Sequence, residues 1–136
     1  MTQASGEFDV TLHPEPLSAT ASSAAAAGLG RFSLDKRYHG ALDASASGEM
    51  LSAMGAVQGS AGYVALERVD GVLDGRRGSF VLQHSGSMDR GAPFLSVTVV
   101  ADSGTGELEG LTGKLSIRIE AGKHFYDFNY ALGKAV

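Results

Sequence analysis

The chain contains no cysteine among its 136 residues. This absence excludes disulfide bridges, thiolate nucleophiles and zinc held by cysteine ligands. A run of basic residues is also missing, and the formal net charge at pH 7 is −4. Because nucleic-acid phosphates are met by clustered Lys and Arg, we expect no nucleic-acid partner.

Long apolar runs are absent as well. The longest charge-free stretch, residues 50–66, is interrupted by Ser, Gly and Gln, which a bilayer-spanning helix of about 20 apolar residues would not tolerate. Near the start of the chain, Glu7 and Asp9 stand where a signal peptide would have a cationic segment followed by an apolar run. We therefore predict a cytoplasmic protein with no membrane partner.

Glycine is abundant, at 19 of 136 residues, roughly twice its usual share. Hydrophobic residues make up 43% and charged residues 19%, which together with the length predicts one folded domain over residues 1–136. Only the Ala- and Ser-rich segment 17–28 suggests anything helical, and we interpret it as a loop or a single helical turn.

Alternating polar and apolar residues predict eight strands. They cover residues 7–12, 31–38, 43–54, 62–69, 78–87, 94–102, 113–121 and 124–132. Glycine follows Asp70, Asp74, Arg90 and Ala121, where a tight hairpin needs positive φ, so the connections are short and antiparallel. Long strands joined in this way favour closure, which removes exposed edges. The sequence predicts an all-β fold with little helix: a single closed antiparallel eight-stranded β-barrel.

Glu67 is the first candidate for a catalytic residue. If Arg68 meets solvent, alternation directs Glu67 inward between apolar neighbours, where a carboxylate is costly without a partner or a task. One interpretation is a general acid or base with a raised pKa, working with Tyr63, Tyr126 or His84. The other is a structural ion pair with Arg118 or Lys36, which would lower the pKa.

His84 is the second candidate, because its strand directs Phe80, Leu82 and His84 inward and leaves Ser79 and Gln83 outside. It is either a catalytic or ligand-contacting residue or a satisfied core histidine. Gln83 is a secondary candidate, since it would take the inward place if the alternation were reversed. Glu49 is another, because the nearby Gly48 could switch faces.

Several inward side chains form a candidate substrate-binding surface, although core packing is the alternative for the aromatic stripe of the last strand. These candidates are Tyr63, Phe80, Leu82, Tyr126, Phe128 and Tyr130. The neighbouring strand would be filled by Leu115, Ile117 and Ile119.

No cofactor or metal site is predicted. The glycine-rich run 103–110 lacks the spacing of a dinucleotide fingerprint, and Gly113-Lys114 lacks the remainder of a Walker loop. The four histidines are scattered without the spacing of a metal-binding pair.

Two strands carry apolar residues on both faces, while one barrel has only one interior. The residues concerned are Val64, Leu66, Leu95, Val97 and Val99. A surplus apolar face predicts a homo-oligomer.

Three segments together resemble a bacterial family of small uncharacterised proteins, the domain-of-unknown-function 3224 family. They are residues 64–68 (VALER), 78–86 (GSFVLQHSG) and 103–113 (SGTGELEGLTG), and the resemblance runs over about residues 30–132. The family's fold is similar to the allene oxide cyclase barrel, which implies eight antiparallel strands and a trimer. Allene oxide cyclases are lipid-processing isomerases in which a glutamate assists ring closure, and related barrels act as cyclases in polyketide pathways.

The first functional hypothesis is therefore a cofactor-independent cyclase or isomerase acting on a hydrophobic, oxygenated small molecule inside the barrel. Glu67 would transfer one proton, helped by His84 or Tyr126. The alternatives are a non-catalytic barrel that binds a hydrophobic ligand and a barrel filled by its own side chains that serves as an interaction module.

Overall fold

A computed structural model of the protein describes residues 1–18 and 28–133, and these residues form a closed antiparallel β-barrel of eight strands. Each strand pairs with its neighbour in sequence, and β1 pairs with β8 to close the barrel. The predicted all-β closed barrel is thereby confirmed. The strands are β1 (Thr2–Glu15), β2 (Leu29–Gly40), β3 (Leu42–Met54), β4 (Ala61–Leu73), β5 (Arg76–Asp89), β6 (Ala92–Val99), β7 (Leu111–Glu120) and β8 (Lys123–Leu132).

Helical structure among the described residues is limited to one 3₁₀ turn, Gly106–Leu108. The predicted loop or helical turn over residues 17–28 falls mostly on residues 19–27, which lie outside the described part of the chain. No helix in the described ranges is long and apolar enough to cross a bilayer.

The β4–β5 hairpin turns at Asp74 and Gly75, whose φ angles are 47° and 83°. Left-handed backbone at both central positions matches the twist of the strands. The turn predicted at Asp70-Gly71 is wrong, because β4 continues through it to Leu73. Gly71 is needed there for close approach, since a Cβ atom would lie 2.3 Å from the carbonyl oxygen of Asp43 on β3.

One end of the barrel is closed by the connection between β6 and β7, which folds over the strand ends and buries Leu108. The same connection covers Ser79, which was predicted to face solvent. Its hydroxyl lies 2.6 Å from the hydroxyl of Thr105, and only 4% of the residue is exposed. Alternation assigns a side chain to a face of the sheet, and a covering loop can bury either face.

At the opposite end, none of the described residues covers the interior, and we call it the open end. There β3, β5 and β7 run past the filled interior, so Ile119 is 66% exposed although it was predicted to fill the core. Val64 and Leu66 are exposed on the outer face, as predicted. Leu95, Val97 and Val99 belong to the inward row of β6, since the buried Val97 fixes its orientation. They are not part of an outer apolar face, which corrects that prediction.

Candidate functional site

A cluster of four polar side chains lies inside the barrel, at the floor of its open half. β2 supplies Lys36 and Tyr38, β4 supplies Glu67, and β5 supplies His84. Lys36 Nζ donates to Glu67 Oε1 over 2.8 Å, and His84 Nε2 lies 2.5 Å from the same oxygen. The hydroxyl of Tyr38 donates to Glu67 Oε2 over 3.0 Å. The inward orientation predicted for Glu67 and His84 is confirmed.

The cluster is almost sealed from solvent. The side chains of Glu67, His84 and Lys36 are 0%, 4% and 7% exposed. Lys36 Nζ also lies 5.0 Å from the ring centroid of Phe8 and 5.8 Å from that of Tyr38. A cation between a carboxylate and two aromatic faces is stabilised from both sides.

The pKa of Glu67 is lowered from its ordinary value of 4.5. Burial acts to raise it, but the hydrogen bond from His84 and the charge of Lys36 outweigh burial. The raised pKa expected of a general acid is therefore wrong, and the ion pair with Lys36 is the interpretation that the structure supports. Burial and the neighbouring Glu67 charge raise the pKa of Tyr38 well above its ordinary value, so its hydroxyl remains a donor.

Arg118, the other suggested partner of Glu67, lies on the outer surface. Its Nε donates to Asp127 over 3.0 Å and its Nη1 to Glu120 over 3.0 Å. The proposed proton partner Tyr126 is also engaged elsewhere. Its hydroxyl donates to the carbonyl oxygen of His39 over 2.8 Å and accepts the backbone N–H of Leu42 over 2.9 Å.

The open end contains a cavity of about 320 Å³, which we call the mouth cavity, and its described lining includes none of the four cluster residues. Tyr63 lines this cavity, and its ring packs against Gly86 of β5. A Cβ atom at Gly86 would lie 2.3 Å from the ring. Glu67 is close enough to Tyr63 to contribute, after burial, to raising its pKa. The lining side chains come mainly from β3 to β6: Met50, Ser52, Tyr63, Met88, Phe94 and Leu95.

Five of the predicted ligand contacts do not line this mouth cavity. Phe80 stacks on Phe128 with ring centroids 5.8 Å apart, and Tyr130 lies 5.5 Å from Phe128. The hydroxyl of Tyr130 donates to Asp74. Leu82 and Tyr126 belong to the same buried core. Because these side chains pack against one another, they leave no space for a ligand between them. Of the predicted contacts, Tyr63 alone is among the mouth-lining residues.

The secondary candidates Glu49 and Gln83 point outward. Glu49 accepts from Arg31 Nε over 2.6 Å, and Gln83 is exposed. Gly48 does not switch the face of β3, so Glu49 stays in the outward row with Ser47 and Leu51. Glu49 and Gln83 line an outer groove of about 900 Å³ across β3, β4 and β5, together with Val64 and Leu66. Glu67 and His84 also border this groove.

Sequence reasoning missed Tyr38 as a member of the cluster. Its signal was present in the alternation of β2, which directs Leu34, Lys36 and Tyr38 to one face. The contact itself depends on the curvature that brings β2 close to β4 across the interior. Within the described ranges no group of three or more His, Asp or Glu side chains is arranged to hold a metal ion.

Comparison with known proteins places the chain among relatives of undetermined function. A family model described as "Protein of unknown function (DUF3224)" matches residues 4–130. A crystal structure described as a protein with unknown function from this family, from Shewanella oneidensis MR-1, is 51% identical and superposes with a TM-score of 0.91 over 99% of each chain. No curated protein matches. The family match begins at residue 4 rather than at the predicted residue 30, because β1 belongs to the barrel. The similarity to allene oxide cyclases stays a prediction.

Proposed function

The chain belongs to the DUF3224 family of proteins of unknown function, and we propose that it binds a small, largely apolar molecule in the mouth cavity of its barrel. The observation that carries this proposal is the cavity of about 320 Å³ at the open end. Concave, mostly apolar sites with a few polar groups are the usual form of small-molecule sites. Eight-stranded barrels have interiors of a size that suits one small ligand.

The geometry of the buried cluster favours binding over proton transfer by Glu67. Both carboxylate oxygens already accept hydrogen bonds, from Lys36 and His84 on one side and from Tyr38 on the other. A lowered pKa keeps Glu67 ionised at neutral pH, so it has no proton to give and little tendency to accept one. In this proposal the cluster supports the floor of the cavity and holds β2, β4 and β5 in place.

A cofactor-independent cyclase or isomerase similar to the allene oxide cyclases is the second candidate. The observation that favours it is the pair formed by Glu67 and His84 Nε2, in which a carboxylate orients an imidazole. In that case His84, rather than Glu67, would exchange the proton with a hydrophobic, oxygenated substrate. Incubation with an epoxide of an unsaturated fatty acid, followed by mass spectrometry, would reveal a cyclised product, and its loss in His84→Gln would support this candidate.

Binding in the mouth is tested with 1-aminoanthracene, an uncharged apolar fluorophore, and a matched pair of variants. Leu95→Trp places an indole in the mouth cavity, whereas Leu66→Trp places the same indole in the outer groove. We expect the wild-type protein to enhance the fluorescence of the probe and Leu95→Trp to abolish the enhancement, while Leu66→Trp retains it. The opposite result, loss only in Leu66→Trp, would move the site to the outer groove and overturn the proposal.

A further inference from the structure

We infer that the ligand of the mouth cavity is an uncharged amphiphile, an apolar chain with one hydroxyl or carbonyl group placed against Tyr63. This inference rests on the proposed function and adds the chemical class of the ligand. It follows from three properties of the cavity: the charge of its lining, the hydrogen-bonding state of Tyr63, and the character of its rim.

The described residues of the lining carry no charged group. Among the described residues that line the mouth there is no Lys, Arg, Asp, Glu or His. A carboxylate or ammonium group placed there would lose hydration without gaining a partner, which is strongly unfavourable. The ionic groups beneath the floor do not change this, because Lys36 and Glu67 neutralise each other across 2.8 Å.

The hydroxyl of Tyr63 is available for a ligand. It makes no hydrogen bond to any side chain or backbone group in the described part of the chain, whereas every buried side-chain nitrogen and oxygen atom there has a partner. The hydroxyl is therefore in contact with space that solvent reaches. A protonated phenol both donates and accepts one hydrogen bond, and it can pair with a hydroxyl or a carbonyl group.

The rim extends the apolar surface beyond the cavity. Met54, Met88 and Phe94 are 65%, 46% and 62% exposed where β3 and β5 end and β6 begins. A chain longer than the cavity would continue over these side chains. Methionine is flexible enough to adapt to such a chain, and Met50 and Met88 both line the mouth.

Three eight-carbon ligands that differ only in the head group test the inference: 1-octanol, octanoate and octylammonium, each used to displace 1-aminoanthracene at pH 7. We expect 1-octanol to displace the probe at concentrations at least tenfold below those of the two ions. Tyr63→Phe should weaken 1-octanol about fivefold, the loss expected for one neutral hydrogen bond, and leave n-octane unchanged. Tyr130→Phe, at the closed end, is the matched control and should leave both ligands unchanged.

The outcomes separate this inference from the proposed function. If the probe binds in the mouth but octanoate or octylammonium displaces it as well as 1-octanol, the inference is overturned and the binding function stands. An equal effect of Tyr63→Phe on 1-octanol and n-octane, or no displacement by any of the three ligands, overturns it too. If the probe itself does not bind, the proposed function fails and the inference fails with it.

Discussion

Replacing Lys36 with Met should destabilise the protein strongly at pH 7 and much less at pH 5. Methionine has an apolar stem of similar length but removes the ammonium group, which lies 5.0 Å from the ring centroid of Phe8 and 2.8 Å from Glu67 Oε1. The carboxylate would then be left fully buried with only His84 and Tyr38 as partners. Breaking a buried ion pair in this way typically costs about 3–5 kcal/mol.

The chemistry of the carboxylate limits the loss, because Glu67 can bind a proton instead of remaining a buried charge. At pH 7, protonating a carboxyl group of ordinary pKa 4.5 costs about 3.5 kcal/mol, at roughly 1.4 kcal/mol per pH unit. At pH 5 the same step costs less than about 1 kcal/mol. We therefore expect a loss of about 3.5 kcal/mol in the free energy of unfolding at pH 7, decreasing toward pH 5.

Urea denaturation followed by circular dichroism measures both values. The matched control is Arg68→Met, which breaks the exposed pair of Arg68 and Asp70 at 3.3 Å and should cost no more than about 1 kcal/mol at either pH. If Lys36→Met costs no more than Arg68→Met at pH 7, the ionic cluster does not stabilise the barrel and the reasoning is refuted. A loss at pH 5 equal to that at pH 7 would refute the part played by protonation.

Three further predictions address acid stability, packing and assembly. The pKa of Glu67 is lowered on folding, so the carboxylate stabilises the fold fully above its ordinary pKa and loses this contribution as pH falls below about 4.5. The difference in unfolding free energy between wild type and Glu67→Gln should therefore shrink in acid. A difference that stays constant with pH would contradict this. Tyr126→Phe leaves the backbone N–H of Leu42 unpaired and should cost about 1–3 kcal/mol in urea denaturation; a loss below about 0.5 kcal/mol would show that water replaces the hydroxyl. Light scattering should report a homo-oligomer at micromolar concentration that Leu66→Asp, on the outer groove, converts to a monomer; a monomeric wild type would end that prediction.

Local sequence determined which residues form strands and which face they occupy. In β4 and β5 a period of two, together with the expectation that Arg68 and Gln83 meet solvent, directs Glu67 and His84 inward. Hairpin glycines such as Gly75 specified antiparallel neighbours, and eight such strands with short connections favour closure. The fold and the two central members of the cluster could therefore be predicted from the sequence.

Tertiary structure decided which inward residues meet and which end of the barrel is filled. The pKa of Glu67 is lowered first by the hydrogen bond from His84 and then by the charge of Lys36, which is 31 positions away in sequence and comes into contact only in the closed barrel. Alternation places Phe128 and Tyr63 alike on the inner face, yet the first is packed in the closed half and the second lines the mouth. A strand pattern specifies a face, whereas the depth of a side chain along the barrel is set by register, by the length of each strand and by the loop that covers one end.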